Sequence, residues 1–318
     1  MIPSINIMPE APVGRLVEVA RAAERLGFRR CWVYDEGLAA RDVFVVMTAI
    51  ASATETMQIG TGITNPYTRH PAMTVGAVAA LDELSGGRAF LGFGAGGSLT
   101  LDPLGIERAR PLAAVREVIE ASRALFGGGR VDHESDVFKL NQASLDHGRS
   151  DIEIWFAGRG PKMLTMAAEC ADGVMLEFIH RELLDSEIHR VLEAAGGRPL
   201  KLAYSTMVAS DPSVLDIVRP HMTYRLVDSP RRVQELIGMD AQDVATVRSA
   251  MGEGLESAGR HILDEWIHPF VVHGSPDECA AELRRLESLG IGEFVLPIVT
   301  TDGAEELMKA TSAVFERL

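Results

Sequence analysis

Eight short apolar runs, separated by longer stretches of helical periodicity, constrain this chain more than any other feature of its sequence. The runs are Ser4–Met8, Cys31–Tyr34, Met57–Gly62, Ala89–Phe93, Ile152–Phe156, Val174–Phe178, Leu202–Val208 and Glu293–Val299. They are near-continuous rather than alternating, the pattern of strands whose sheet is covered on both faces. Between them, segments such as Val13–Leu26 place Leu16, Val19, Ala20, Ala23 and Leu26 on one helical face, with Gly27 as a stop. Helices are also expected over Asp42–Ala53, Pro71–Leu84, Arg110–Phe126, Lys162–Ala171 and Ala304–Phe315. Eight strands alternating with helices predict an α/β protein, a (β/α)8 TIM barrel forming a single domain over residues 1–318. Val131–Ser150 reads as a polar, irregular excursion. Asp211–Gly290 is long and mostly helical, which predicts a helical insertion between strands 7 and 8 over one end of the barrel.

Charge narrows the partners. The formal net charge of −14 argues against a nucleic-acid backbone or an anionic membrane surface. It leaves room for an anionic cofactor, because backbone amides and a few arginines suffice for a local anion site. No apolar run reaches the roughly 20 residues of a membrane-spanning helix, and Met1–Glu10 lacks the pattern of a secretory leader. The expectation is a cytoplasmic protein acting on a small molecule. Cys31, Cys170 and Cys279 are few and widely spaced, with no metal-binding spacing, and are read as inert thiols.

In such a barrel the chemistry lies at the C-terminal ends of the strands. Tyr34-Asp35-Glu36 ends the second run with two adjacent carboxylates, suited to binding a polar ring edge or to acid–base work, or simply to capping the next helix. After the third run, Gly60-Thr61-Gly62-Ile63-Thr64-Asn65-Pro66-Tyr67-Thr68-Arg69-His70-Pro71 combines glycines that allow unusual backbone geometry with a dense polar cluster. The plain alternative is a turn with His70-Pro71 opening a helix. Gly94-Ala95-Gly96-Gly97 follows the fourth run, without the dinucleotide spacing and with no helix expected directly after it. Gly158-Arg159-Gly160-Pro161 follows the fifth. A proline at the first helical position leaves free amides at a helix N-terminus, and Arg159 adds a forked donor, together a site for phosphate. Glu177 lies near the mouth end of the sixth run, positioned to face the pocket or to pair with an arginine.

The run Thr61–Pro71, TGITNPYTRHP, resembles the corresponding segment of F420-dependent methylenetetrahydromethanopterin reductases and their relatives in the luciferase-like superfamily. Ala157–Leu164, AGRGPKML, followed by Ala171-Asp172-Gly173-Val174, is similar to a second signature of that family, as is Tyr34-Asp35-Glu36. The resemblance implies that the deazaflavin coenzyme F420 is bound and that hydride passes between its C5 and an electrophilic carbon of a small substrate. It implies a non-proline cis peptide at Gly62-Ile63 behind the central ring. Asp35 would hydrogen-bond the polar ring edge, Thr64, Asn65, Gly94, Ala95 and Gly96 would line the cofactor, and Gly158, Arg159 and Gly160 would hold its phosphate. Glu36 is the first choice for the proton-carrying group, with Glu177 and His70 behind it. The resemblance also implies a homodimer, for which the apolar helices Asp42–Ala53 and Pro71–Leu84 offer a surface. One position departs from the family: where reductases commonly carry a first-strand carboxylate, this chain has Asn6. Two other readings share the fold: an FMN-dependent monooxygenase, and a cofactor-binding barrel without redox activity. Titratable groups clustered at the mouth argue against the latter.

Overall fold

The computed structural model describes residues 1–211 and 213–318, with residues 98 and 99 described by backbone alone. Eight parallel strands close into a barrel in chain order: β1 (Ile2–Ile7), β2 (Arg30–Val33), β3 (Gln58–Thr61), β4 (Ala89–Phe93), β5 (Ile154–Gly158), β6 (Gly173–Glu177), β7 (Lys201–Ser205) and β8 (Glu293–Ile298). The expected (β/α)8 barrel is the observed one. Helices Val13–Arg25, Val43–Ala53, Pro71–Ser85, Pro111–Phe126, Pro161–Cys170, Arg181–Ala194, Pro276–Ser288 and Ala304–Phe315 cover its outer face. Their buried stripes, such as Leu16, Val19, Ala20 and Ala23 on the first, pack against the strands. Among the described residues no helix is long and apolar enough to cross a membrane.

Four expectations are corrected. Val131–Ser150 contains an antiparallel hairpin, Val131–Glu134 with Lys139–Ala143, in which buried residues alternate only weakly and so left no strand signal. Helix Arg181–Ala194, between β6 and β7, is largely polar and was not anticipated; Leu184, Ile188 and Val191 alone carry its buried stripe. The seventh apolar run is broken: β7 ends at Ser205, and Val208–Ala209 pairs with Val272–His273 in a separate two-stranded sheet. The stretch before β8 is not insertion throughout, since Pro276–Ser288 is a regular barrel helix with a Ser275/Glu278 capping box. The insertion proper is built on helix Ser213–Val227, with shorter helices packed against it.

The barrel interior is layered, and its lowest layer is charged. Arg30 donates to Glu293 Oε2 and Glu153 Oε2, each at 3.0 Å, and to Gln58 Oε1 at 2.9 Å. Trp32 Nε1 and Trp155 Nε1 donate to the same two glutamates, each at 2.8 Å. Above it, Trp32 meets Phe90 and Trp155 edge-on, at 4.5 and 5.3 Å between ring centroids. Met175, Ala203 and Val295 complete this aromatic plug. Glycine at position 60 makes room for it: a Cβ there would lie 2.4 Å from the Phe90 ring. Among the described residues this layer and plug fill the N-terminal end of the barrel, which leaves the C-terminal rim for a ligand.

Candidate active site

Above the plug, the strand ends bring together most of the residues singled out in the sequence. Asp35 and Glu36 follow β2 and are each held by a threonine. Thr64 Oγ1 donates to Asp35 Oδ2 at 2.6 Å, and Thr100 Oγ1 donates to Glu36 Oε2 at 2.8 Å. Burial pushes both carboxyls up from the usual range, more than these hydrogen bonds pull them down. The charges of Glu177 and Asp35 add to the rise at Glu36. Thr100 lies on the short helix Ser98–Leu101, which opens directly after the glycine loop, where no helix was expected. Four residues carry too little periodicity to be read as a helix.

The wall beside these carboxylates is the segment after β3. The Gly62-Ile63 peptide is cis, the geometry implied by the family resemblance. Asn6 Nδ2 donates to the Gly62 carbonyl at 2.7 Å. Thr64 pairs with Phe93 of β4 as an isolated bridge, and Gly94 N donates to Thr64 O at 2.8 Å, so this wall continues into the glycine loop. Glycine at position 94 lets the Ile63 side chain pack against the loop, since a Cβ there would lie 2.0 Å from Ile63 Cδ1 and force that side chain to move. Asn65 closes the turn by accepting from Tyr67 N and Thr68 N at 2.9 and 3.0 Å. Arg108 donates to the Gly96 carbonyl at 3.0 Å. Gly158 ends β5, and Gly160 precedes helix Pro161–Cys170, which has no side-chain cap and no acidic residue in its first turn. Its amides are open, with Arg159 exposed beside them.

Two of the proposed proton carriers have other tasks. His70 caps helix Pro71–Ser85: its Nδ1 accepts from Ala72 N at 3.3 Å, and its Nε2 lies 3.2 Å from the Lys139 carbonyl. Both ring nitrogens serve the fold, so the bland helix-start reading describes this residue. Glu177 accepts from Arg225 Nη2 at 2.9 Å. Burial would raise its carboxyl, but the guanidiniums of Arg225 and Arg159 outweigh this and hold it below the usual range. It therefore stays ionised as an anchor for Arg225. Arg225 itself comes from the insertion helix Ser213–Val227, is buried, and lies over the Phe178 and Tyr224 rings at 4.5 and 4.8 Å. Sequence reasoning missed it. The available signal was an arginine set in the mostly apolar stretch Tyr224-Arg225-Leu226-Val227, as a buried, paired cation requires.

Asn6 also acquires a role from its geometry. The group opposite the Gly62 carbonyl must donate, which an amide does at every pH and a carboxylate only when protonated. Asn6→Asp is expected to lose roughly 2–4 kcal/mol of stability in mildly alkaline solution. Burial raises such a carboxyl in the folded state, so the deficit grows as pH rises through that value and shrinks on acidification. Thermal unfolding of both proteins across that range measures it; a deficit independent of pH would remove the assigned role.

A closed parallel barrel whose mouth carries paired, burial-raised carboxylates, a glycine-lined wall and an open helix N-terminus defines a cofactor-binding oxidoreductase type of site. The chain belongs to the luciferase-like monooxygenase family, whose model matches residues 4–293. It is 32% identical over 304 residues to 5,10-methylenetetrahydromethanopterin reductase of Methanolobus tindarius, covering 92% of each chain. It is 28% identical over 307 residues to F420-dependent glucose-6-phosphate dehydrogenase of Mycolicibacterium gilvum, covering 88% of this chain and 86% of the other. Among solved structures it is similar to coenzyme F420-dependent tetrahydromethanopterin reductase of Methanopyrus kandleri, with TM-score 0.87, 26% identity, and 98% and 96% of the two chains covered.

Proposed function

We propose that the chain is a coenzyme F420-dependent oxidoreductase that moves a hydride between the deazaflavin and an electrophilic carbon of a small organic substrate. The observation that carries this reading is the Asp35–Glu36 pair, raised by burial and set at the strand ends beside the wall formed by Gly62, Ile63, Thr64 and Gly94. The described residues fit the coenzyme. Asn65, Gly94, Ala95 and Gly96 offer a stretch of wall with few large side chains, against which a flat ring can lie. Gly158, Arg159 and Gly160, at the uncapped N-terminus of helix Pro161–Cys170, suit a phosphate. When bound, the coenzyme supplies the two-electron hydride chemistry.

The chain's own residues supply orientation and the proton. Asp35, which accepts from Thr64 and from the Gly37 amide, keeps a further lone pair for a donor on the ring edge. Glu36, with one oxygen bonded to Thr100, holds its proton to a higher pH than an ordinary glutamate and delivers it beside the carbon that gains hydride. The Glu177–Arg225 ion pair ties the insertion helix to the mouth end of β6. The homodimer expectation is retained as part of the proposal. It is supported by exposed Val45 on helix Val43–Ala53 and by exposed Met73 and Leu84 on helix Pro71–Ser85, neighbours on the barrel exterior.

Calorimetric titration of the purified protein with F420, in parallel with FMN, tests the cofactor. Micromolar or tighter F420 binding with weak FMN binding is the expected result. Tight binding of FMN alone would transfer the site to flavin monooxygenase chemistry, and binding of neither would remove the cofactor role.

A further inference from the structure

We propose that Tyr34 is the specificity-determining residue of the substrate subsite, presenting its phenolic O–H to an uncharged acceptor atom of the substrate, a carbonyl oxygen or a ring nitrogen. The inference rests on the oxidoreductase reading of the same mouth.

The placement follows from strand parity. Arg30 and Trp32 point into the barrel, where they build the charged layer and the aromatic plug. Tyr34 is the next residue of that parity, and its amide continues the ladder by donating to Ile7 O at 3.1 Å. Its side chain therefore tops the plug at the level of the mouth, immediately before Asp35 and Glu36. The residue is 7% exposed, and its hydroxyl has no hydrogen-bond partner among the described residues. A buried polar group left unmade costs about 1–3 kcal/mol, so a hydroxyl held this way needs a partner from outside the protein. Ser205 Oγ, paired in register with Glu177, is buried and unpartnered in the same way, as is Asn6 Oδ1. The upper interior of the barrel thus holds several polar atoms that the described residues do not satisfy.

The neighbours of Tyr34 decide what kind of atom it meets. Burial raises the phenol well above its ordinary value, and the charge of Glu177 raises it further, so it is a neutral donor. The cation whose charge acts on the phenol, Arg225, is committed: it donates to Glu177 at 2.9 Å and to the His221 carbonyl at 2.8 Å. An anionic ligand group at the phenol would face Glu177 and Glu36, while Arg159, whose charge reaches Glu177, stands exposed at the helix N-terminus assigned to the coenzyme phosphate. A neutral acceptor meets no such opposition. Tyr224 and Arg225 roof the subsite from helix Ser213–Val227, so the insertion sets its size while Tyr34 sets its hydrogen-bond polarity.

The chain has four tyrosines, which makes tyrosine-selective 13C labelling a clean probe. The Tyr34 resonance is assigned by its loss in Tyr34→Phe, a change that keeps the ring in place. Coenzyme-loaded and coenzyme-free protein are each titrated with 2-pyrrolidone, a neutral carbonyl acceptor, and with acetate. The expected result is that 2-pyrrolidone shifts the Tyr34 resonance, acetate does not, and Tyr34→Phe binds 2-pyrrolidone about tenfold more weakly. No shift, an equal shift with acetate, or equal affinity in the variant would each overturn the proposal. Failure of F420 to bind either protein would count against the oxidoreductase reading instead, and the coenzyme-free titration would still decide the role of Tyr34.

Discussion

Replacing Arg30 with methionine is expected to cost about 3–5 kcal/mol of stability at neutral pH, although the residue lies at the end of the barrel opposite the mouth. The buried guanidinium holds Glu293 and Glu153 at 3.0 Å and lies over the Phe90 and Trp155 rings at 4.7 and 5.1 Å. Methionine fills much of the same volume but leaves two carboxylates facing an aromatic plug. The pH dependence carries the diagnosis. In the parent protein burial would raise Glu153, but Arg30, Lys201 and the Trp155 N–H overcome that and hold it below the usual 4.5. Its stabilisation is present above the unfolded value and is lost as pH falls through the folded one. Without Arg30 the burial effect dominates, the folded value rises, and the variant gains relative stability on acidification. Denaturant unfolding at neutral and mildly acidic pH is the measurement. A loss below about 1 kcal/mol, or a deficit that does not shrink in acid, would show the network to be dispensable.

Glu36→Gln is expected to lower turnover by about 10²–10⁴-fold while leaving the fold intact, since glutamine still accepts from Thr100 Oγ1. Burial first, then the charges of Glu177 and Asp35, keep Glu36 protonated above the usual glutamate range, against the Thr100 hydrogen bond and Arg225. A group acting as the acid loses activity as pH rises through its pKa, so the parent rate falls on the alkaline side and the variant rate is low and flat. Coenzyme absorbance during turnover, with substrates found by the same absorbance screen, supplies the profile. A variant that keeps the parent's rate and alkaline limb would move the proton role off Glu36. Glu177→Gln separates the two carboxylates: its loss is expected in the seating of Arg225, because an ionised, arginine-paired group carries no proton to give.

What was legible in the sequence was what depends on local chemistry. Apolar runs long enough to be buried on both faces identified all eight barrel strands, and Asp35-Glu36, Gly62-Ile63 and Gly158-Arg159-Gly160 could be placed at strand ends because the fold puts every βα loop on one rim. The hairpin Val131–Glu134 with Lys139–Ala143 and the helix Arg181–Ala194 escaped because each buries only a thin stripe. His70 is ambiguous in the sequence for a different reason. A histidine at a helix start and a histidine in a site look alike until the partners of its nitrogens are known.

The sequence alone determined the barrel, its polarity and the rim on which chemistry occurs, since burial periodicity and turn chemistry are properties of neighbouring residues. Only the tertiary structure decided which groups meet. Thr100 reaches Glu36 across 64 positions, Arg225 reaches Glu177 across 48, and Asn6 reaches the Gly62 carbonyl across 56. Burial in the closed mouth raises Glu36 against the pull of Thr100, and the Arg225 contact keeps Glu177 charged. Both arise from strand closure and from how the insertion seats on the mouth, and neither is encoded in the order of adjacent residues.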